Sequence, residues 1–180
     1  MIITISGKPG CGKSTVAKII AKEIGYKHIS GGDMRGEIAK KHNMTIDELN
    51  KLAETEDWTD REVDDYLKKL GETEDNFCID SRTAFHFIPH ATKIFIDCDL
   101  YVAAERIFKD QRLDEKHQDT AQGVREMIKT RWELCRQRWI RYYGFDIANL
   151  DNYNLIIDSS HKTIQEVVRE ILEFVKYKEK

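Results

Sequence analysis

The chain has 180 residues, 41% of them hydrophobic and 34% charged, with a formal net charge of −3. That length suits a single domain with a real core, and the charge balance argues against a general nucleic-acid binder, which carries a basic surplus, while leaving room for a local basic cleft. No apolar run approaches the roughly 20 residues of a membrane span, and no signal-peptide pattern opens the chain. The four cysteines, Cys11, Cys78, Cys98 and Cys135, form no C-x-x-C pair, which fits free thiols in a reducing compartment. A cytoplasmic setting is expected.

The first apolar run, IITIS, reads as a short buried strand. A glycine-rich turn leads into STVAKIIAKEIG, where Val16, Ile19, Ile20 and Ile24 recur at helical spacing and Gly25 stops the helix. YKHIS (26–30) is a second strand. GGDMRGEIAKKHN opens another helix, with Asp33 expected as its cap. Thr45 with Glu48 and Thr59 with Glu62 have capping-box spacing. The second box opens a helix whose stripe of Val63, Tyr66, Leu67 and Leu70 is closed by Gly71. FCID (77–80) and KIFID (93–97) are strand-type runs, Asp99 caps LYVAAERIF, and a charged helix covers roughly 124–142. NLIID (154–158) makes a fifth strand, and Thr163 begins a closing helix. Short apolar strands alternating with helices predict one α/β domain spanning residues 1–180, with a parallel sheet covered on both faces. Two stretches stand out as excursions, an acidic helical segment at about 43–75 and the polar tract at 109–123.

Gly7, Gly12, Lys13 and Ser14 match G-x-x-x-x-G-K-[ST] without a mismatch. The glycines let successive backbone N–H groups point at phosphate oxygens, and the following helix adds its positive end. Lys13 is suited to bridging β- and γ-phosphates, and the Ser14 hydroxyl to Mg2+. The strand before and amphipathic helix after are the context this motif requires. The nucleotide-holding set is therefore Gly7, Gly10, Cys11, Gly12, Lys13, Ser14 and Thr15, with ATP and Mg2+ expected. Cys11 is otherwise a small residue at a variable loop position.

Phosphoryl transfer needs positive charge around both substrates. Arg82 lies two residues past FCID, at the carboxyl edge of the sheet where ligands of such folds bind. Arg35 follows the second strand at the same edge. Arg131 and Arg138 are seven apart, so they share a helix face, while Arg136 and Arg141 project elsewhere. His86, His90 and His117 are not needed for this chemistry, and Trp58, Trp132 and Trp139 read as packing residues.

The segments ISGGDMRGEIAKK, FCIDSR, AERIF, RWELCRQRWIRYYGFDI and NYNLIIDSS together resemble the cytidylate kinase family of archaea and some bacteria, within the P-loop nucleoside monophosphate kinases. The resemblance implies a three-layer fold with a five-stranded parallel sheet, an acceptor-binding segment at about 30–75 and a lid at about 109–123. It implies that ATP sits on the phosphate loop and that CMP, with dCMP or UMP as further candidates, receives the γ-phosphate. Ser30, Asp33, Arg35 and Arg82 would hold the acceptor, Lys13, Arg131 and Arg138 would act at the moving phosphoryl, and Arg106 and Arg112 would add charge on the ATP side. Asp80 would join Ser14 near Mg2+, though a loop cap explains it equally well. Asp60 and Asp64 match acidic positions of the family, and a solvated helix face explains them equally. Two departures stand out. Related kinases carry arginine three residues after the aspartate, where this chain has Gly36, and an acidic residue where it has Cys135; Glu133 is a candidate substitute for the latter. The expected partners are small nucleotides, neither nucleic acid nor membrane, and nothing demands more than a monomer. Two other readings stay open: a kinase for AMP or a hydroxylated metabolite, with Asp33 as base, and a nucleotide-binding regulator without turnover.

Overall fold

The computed structural model describes residues 1–109 and 118–178. Five parallel strands form one sheet in the order β2-β3-β1-β4-β5: β1 (Ile2–Gly7), β2 (Lys27–Ser30), β3 (Phe77–Asp80), β4 (Thr92–Asp97) and β5 (Leu155–Asp158). The central strand is buried along its whole length, as a parallel strand covered by helices on both faces must be. Its register sets Ile5 beside Asp80 and Gly7 beside Ile96, so the phosphate loop leaves the sheet level with the end of β3.

Alternation along the strands divides the core in two. Ile3, Ile5, Cys78, Ile94 and Ile96 face one way, onto α1 (Lys13–Glu23) and α8 (Ile164–Lys178). On the other face Ile2, Phe77 and Ile79 meet Leu67 and Leu70 of α4 (Trp58–Thr73). Phe95 there packs with Trp139 of α7 (Ala121–Tyr143), Phe85 and Tyr153. The helices α2 (Gly31–Lys41) and α3 (Ile46–Leu52) lead from β2 to α4, α5 (Ala84–Phe87) is a single turn after β3, and α6 (Leu100–Lys109) follows β4.

Several local expectations hold. Thr45 and Glu48 form the reciprocal cap of α3, and Asp99 accepts the backbone N–H groups of Tyr101 and Val102 at the start of α6. Gly25 takes a positive φ of 72° after α1. Others are corrected. The cap of α2 is Ser30, whose hydroxyl accepts the N–H of Asp33 at 3.2 Å, because the helix starts directly where β2 ends. The Thr59–Glu62 box does not form: α4 begins at Trp58, so Thr59 is already inside its first turn and donates to the Glu56 carbonyl. Glu62 instead pairs with Lys41 and His42. Gly71 does not end α4, which runs on to Thr73; its missing side chain makes room for Ile88, since a Cβ there would lie 2.9 Å from Ile88 Cγ2. The long helix α7 starts at Ala121 rather than near 124, capped by Thr120, so the last three residues of the tract at 109–123 are its first turn. Most of the remaining tract, with Arg112 and His117, lies outside the described residues. No helix among the described residues is long and apolar enough to cross a membrane.

Candidate active site

The phosphate loop is built by close backbone approach. A Cβ on Gly7 would stand 2.2 Å from the Ile96 carbonyl oxygen, and one on Gly10 2.6 Å from that of Ala103. Gly12, with φ of 86°, turns the chain into α1. The Cys11 side chain is fully buried and lies against Gly7, so this residue faces the loop's surroundings with its backbone and not its thiol. Its carbonyl accepts from Ser159 after β5. Lys8 pairs with Asp97 at the end of β4 at 2.7 Å, while Lys13 reaches back to the Lys8 carbonyl at 3.5 Å. Burial lowers the Lys13 ammonium pKa, with Arg82 and Arg131 pushing the same way against Cys11 and Asp80. Thr15 is exposed on the first turn of α1.

Asp80 ends β3 almost fully buried. One carboxylate oxygen accepts the Ser14 hydroxyl at 2.6 Å and the other faces His28 Nε2 at 2.7 Å. Ser14 and Asp80 thus bring two hard oxygen donors together at the phosphate loop, a donor set suited to Mg2+. His28 was not singled out in the sequence. Its signal was there: it stands two residues before Ser30 on the same strand, hence on the same face as the residue that caps α2.

Around this point the fold gathers four guanidinium groups from three places. Arg82, after β3, donates Nη1 to Cys135 Sγ at 3.5 Å, and its Nε is buried without a hydrogen-bond partner among the described residues. Arg131, Cys135 and Arg138 follow one another at helical spacing on one face of α7. Arg35 reaches from α2 into the helical segment, donating Nε to Asn50 at 2.7 Å and Nη1 to Asp60 at 2.8 Å. Its Nη2 is buried and unpartnered among the described residues. Arg138 Nε lies 2.7 Å from the second oxygen of Asp60, as an ion pair without hydrogen-bond alignment. Burial, the largest influence, lowers the pKa of both Arg35 and Arg82. For Arg82, the positive fields of Arg131, Arg138 and Arg35 add to it. Buried charged donors left unmatched are costly, and such a concentration of them is suited to an anion of several negative charges.

Asp60 and Asp64 are not on a solvated face. They are 3% and 2% exposed. Asp60 holds the two arginines just described, and Asp64 accepts the Tyr143 hydroxyl at 2.6 Å. Glu133 does not stand in for an acid at position 135: it is half exposed and pairs with Arg136 and Gln137. Arg136 and Arg141 of α7 make scaffold contacts. Arg136 grips both oxygens of Asp146, and Arg141 donates to the Glu54 carbonyl. Arg106 donates to the Ser159 carbonyl and hydroxyl, tying α6 to the loop after β5. Asp33 is exposed on α2. Trp132 packs against Phe95, and His86 stacks on Phe145 with centroids 4.0 Å apart.

Comparisons with known proteins agree with this architecture. The model of the family described as "Cytidylate kinase-like family" matches residues 2–161. A cytidylate kinase of Archaeoglobus fulgidus is 37% identical over 179 residues, 99% of this chain and 96% of its own. One from Sulfolobus acidocaldarius is 35% identical, covering 96% of this chain and 92% of its own. Among solved structures, shikimate kinase from Bacteroides thetaiotaomicron superposes with a TM-score of 0.68 at 17% identity, covering 98% of each chain. That from Aquifex aeolicus gives 0.60 at 20% identity, covering 99% of this chain and 98% of its own. At those identities the likeness is one of fold.

Proposed function

The chain belongs to the cytidylate kinase-like family, and from that membership we propose that it transfers the γ-phosphoryl group of ATP to the phosphate of CMP, giving CDP and ADP. The observation that carries this reading is the set of buried guanidinium groups of Arg35, Arg82 and Arg138, with Arg131 on the same helix face, opposite the phosphate loop's Lys13. A nucleotide-holding loop alone has no use for cations beyond its own lysine. A second phosphate facing the first does.

In this reading the backbone of residues 7–15 and Lys13 hold the ATP phosphates. Ser14 and Asp80 would hold Mg2+, which when bound neutralises charge between the β- and γ-phosphates. Arg82 grips the acceptor phosphate, and Ser30, Asp33 and Arg35 belong to the wall that receives the rest of the acceptor. An acceptor phosphate oxygen forms its bond to the γ-phosphorus as the bond to the bridging oxygen breaks, and ADP leaves with that electron pair. The attacking oxygen is already anionic, so no general base is required. Lys13, Arg131 and Arg138 neutralise the charge on the moving group, and catalysis is alignment plus electrostatics. Arg106 adds charge from the ATP side. A hydroxyl acceptor would want a positioned carboxylate base. Asp33, the candidate, is exposed, and the buried carboxylates are engaged, Asp80 by Ser14 and His28, Asp60 by Arg35 and Arg138, and Asp64 by Tyr143, which favours a phosphate acceptor. dCMP and UMP remain within the acceptor class. The four unpaired, buried cysteines suit a reducing cytoplasm.

The test is ADP formation from ATP and Mg2+ with CMP, dCMP, UMP, AMP, GMP or no acceptor. Turnover peaking on CMP and lost in Arg82→Ala supports the reading. Turnover on AMP alone keeps the reaction and overturns the base preference.

A further inference from the structure

His28 projects from the edge strand β2, whose register sets it beside Cys78 and Ser30 beside Asp80. It therefore reaches Asp80 diagonally, along the strand, with Nε2 at 2.7 Å from one oxygen, while Ser14 holds the other at 2.6 Å. A carboxylate only accepts, so the hydrogen of this contact sits on Nε2. The Asp80 side chain is 4% exposed and His28 24%, so the pair is shielded from bulk water on the carboxylate side. Three elements thus meet in one chain of polar contacts: α1 through Ser14, β3 through Asp80 and β2 through His28.

The two contacts on Asp80 do different work when a cation is bound. The Ser14 hydroxyl carries two lone pairs and one hydrogen, so it can turn a lone pair to a metal while its hydrogen stays on Asp80, but that single contact leaves the carboxylate free to swing about it. The His28 contact fixes the other oxygen. Without it, the carboxylate has a nearby competitor, the Lys13 ammonium, whose charge it already feels. A carboxylate that swung onto Lys13 would spend the lysine's charge on a protein group and withdraw an oxygen from the metal.

We propose that His28 is a positioning residue for Mg2+, holding Asp80 in the orientation that keeps its second oxygen on Ser14 and off Lys13. The proposal rests on the reading of Ser14 and Asp80 as the residues that would hold the metal. Partners of this kind, one shell out from the metal, are worth 10–100-fold in affinity where measured.

The experiment is a Mn2+ titration followed by electron paramagnetic resonance, with the full chain and a non-hydrolysable ATP analogue. The panel is wild type, His28→Ala, His28→Gln, His28→Asn and Asp80→Asn. Binding of the analogue without metal is measured beside it. The expected result is Mn2+ affinity weakened about tenfold or more in His28→Ala. In His28→Gln, whose amide can still donate, it recovers to within about threefold, with metal-free analogue binding unchanged in both His28 variants. Should His28→Ala not fold, His28→Asn, too short to reach Asp80, makes the same comparison. Wild-type metal affinity in His28→Ala, with affinity lost in Asp80→Asn, overturns the role of His28 alone. Equal loss of metal-free analogue binding overturns it too, since that marks a merely structural residue. Wild-type affinity in Asp80→Asn overturns the metal role of Asp80 and the His28 proposal with it.

Discussion

Tyr143, the last residue of α7, donates its hydroxyl hydrogen to Asp64 of α4 at 2.6 Å. The contact joins the helical segment after β2 to the helix that carries Arg131 and Arg138, so the two halves of the cationic pocket are coupled through a buried acid. Thr83, after β3, approaches the other Asp64 oxygen at 3.5 Å. Burial, with neighbouring Asp60 in support, pushes the Asp64 carboxyl up to about 7, against the hydrogen bonds from Tyr143 and Thr83 and the positive field of Lys68 that favour its charge.

That shift fixes the sign of a pH dependence. The unfolded chain loses the Asp64 proton near 3.8, while the folded chain holds it to about 7. Between those values the folded state binds more protons, so this residue's contribution to stability declines as pH rises from about 4 to about 7. Asp64→Asn cannot ionise and its carbonyl can still accept from Tyr143. The variant should match the parent near pH 4 and exceed it at pH 8 by up to about 4 kcal/mol. Urea unfolding at both values checks this; a variant that is less stable than the parent at pH 8 contradicts it.

Asp60 should behave in the opposite way. It is the buried counter-charge for Arg35 and Arg138, and removing one member of a buried ion pair costs about 3–5 kcal/mol. Asp60→Asn keeps the shape and removes the charge, leaving two guanidinium groups to repel each other. The expected result is a lower melting temperature and a KM for the acceptor nucleotide raised about tenfold, with KM for ATP changed less than threefold. Equal effects on both substrates would mean that Asp60 supports the whole fold and not the acceptor side.

Lys13 belongs to the transferring phosphate. Lys13→Met removes the ammonium and keeps an unbranched stem. Turnover should fall by about 10²–10³, the cost of losing one preorganised charge donor, with the melting temperature held, since burial lowers the ammonium pKa and so does not favour the charge at this position. Steady-state ADP release and a thermal melt on the same preparation check both halves.

How far the sequence could be read depended on the range of the interaction. The strands FCID and KIFID, the phosphate loop and the caps at Thr45 and Asp99 are set by neighbours within a few residues, and they were legible. The common face of Arg131 and Arg138 followed from helical spacing. The acids were not legible. Asp60 and Asp64 lie among Glu, Asp and Lys in a segment that reads as a solvated helix, and only the contacts they receive from Arg138 and Tyr143 of α7 reveal that they are buried. Likewise, the place of Arg35 after β2 gave no sign that two of its nitrogens are held by Asn50 and Asp60, 15 and 25 residues away. Even Tyr143 to Asp146, inside the segment RWELCRQRWIRYYGFDI that helps carry the resemblance, is scaffold in its contacts: Tyr143 on Asp64, Gly144 as the left-handed end of α7, Phe145 against His86, and Asp146 on Arg136.

Two glycines contrast backbone strain alone with a close approach of another strand. Gly25 has a φ of 72° with nothing within 4 Å of a Cβ, so Gly25→Ala meets only the left-handed penalty, about 1–2 kcal/mol. Gly7 is different. A Cβ there runs into the Ile96 carbonyl oxygen at 2.2 Å and Cys11 Sγ at 2.7 Å, and a backbone carbonyl in the middle of a sheet cannot turn aside as a side-chain end can. Gly7→Ala therefore has to push the phosphate loop away from β4. We expect it to cost about 3 kcal/mol or more and to weaken ATP binding, while Gly25→Ala leaves ATP binding within about twofold. Chemical denaturation with calorimetric ATP titration decides the matter. If Gly7→Ala keeps both stability and affinity, the close approach of the loop to β4 is not what shapes the phosphate cradle.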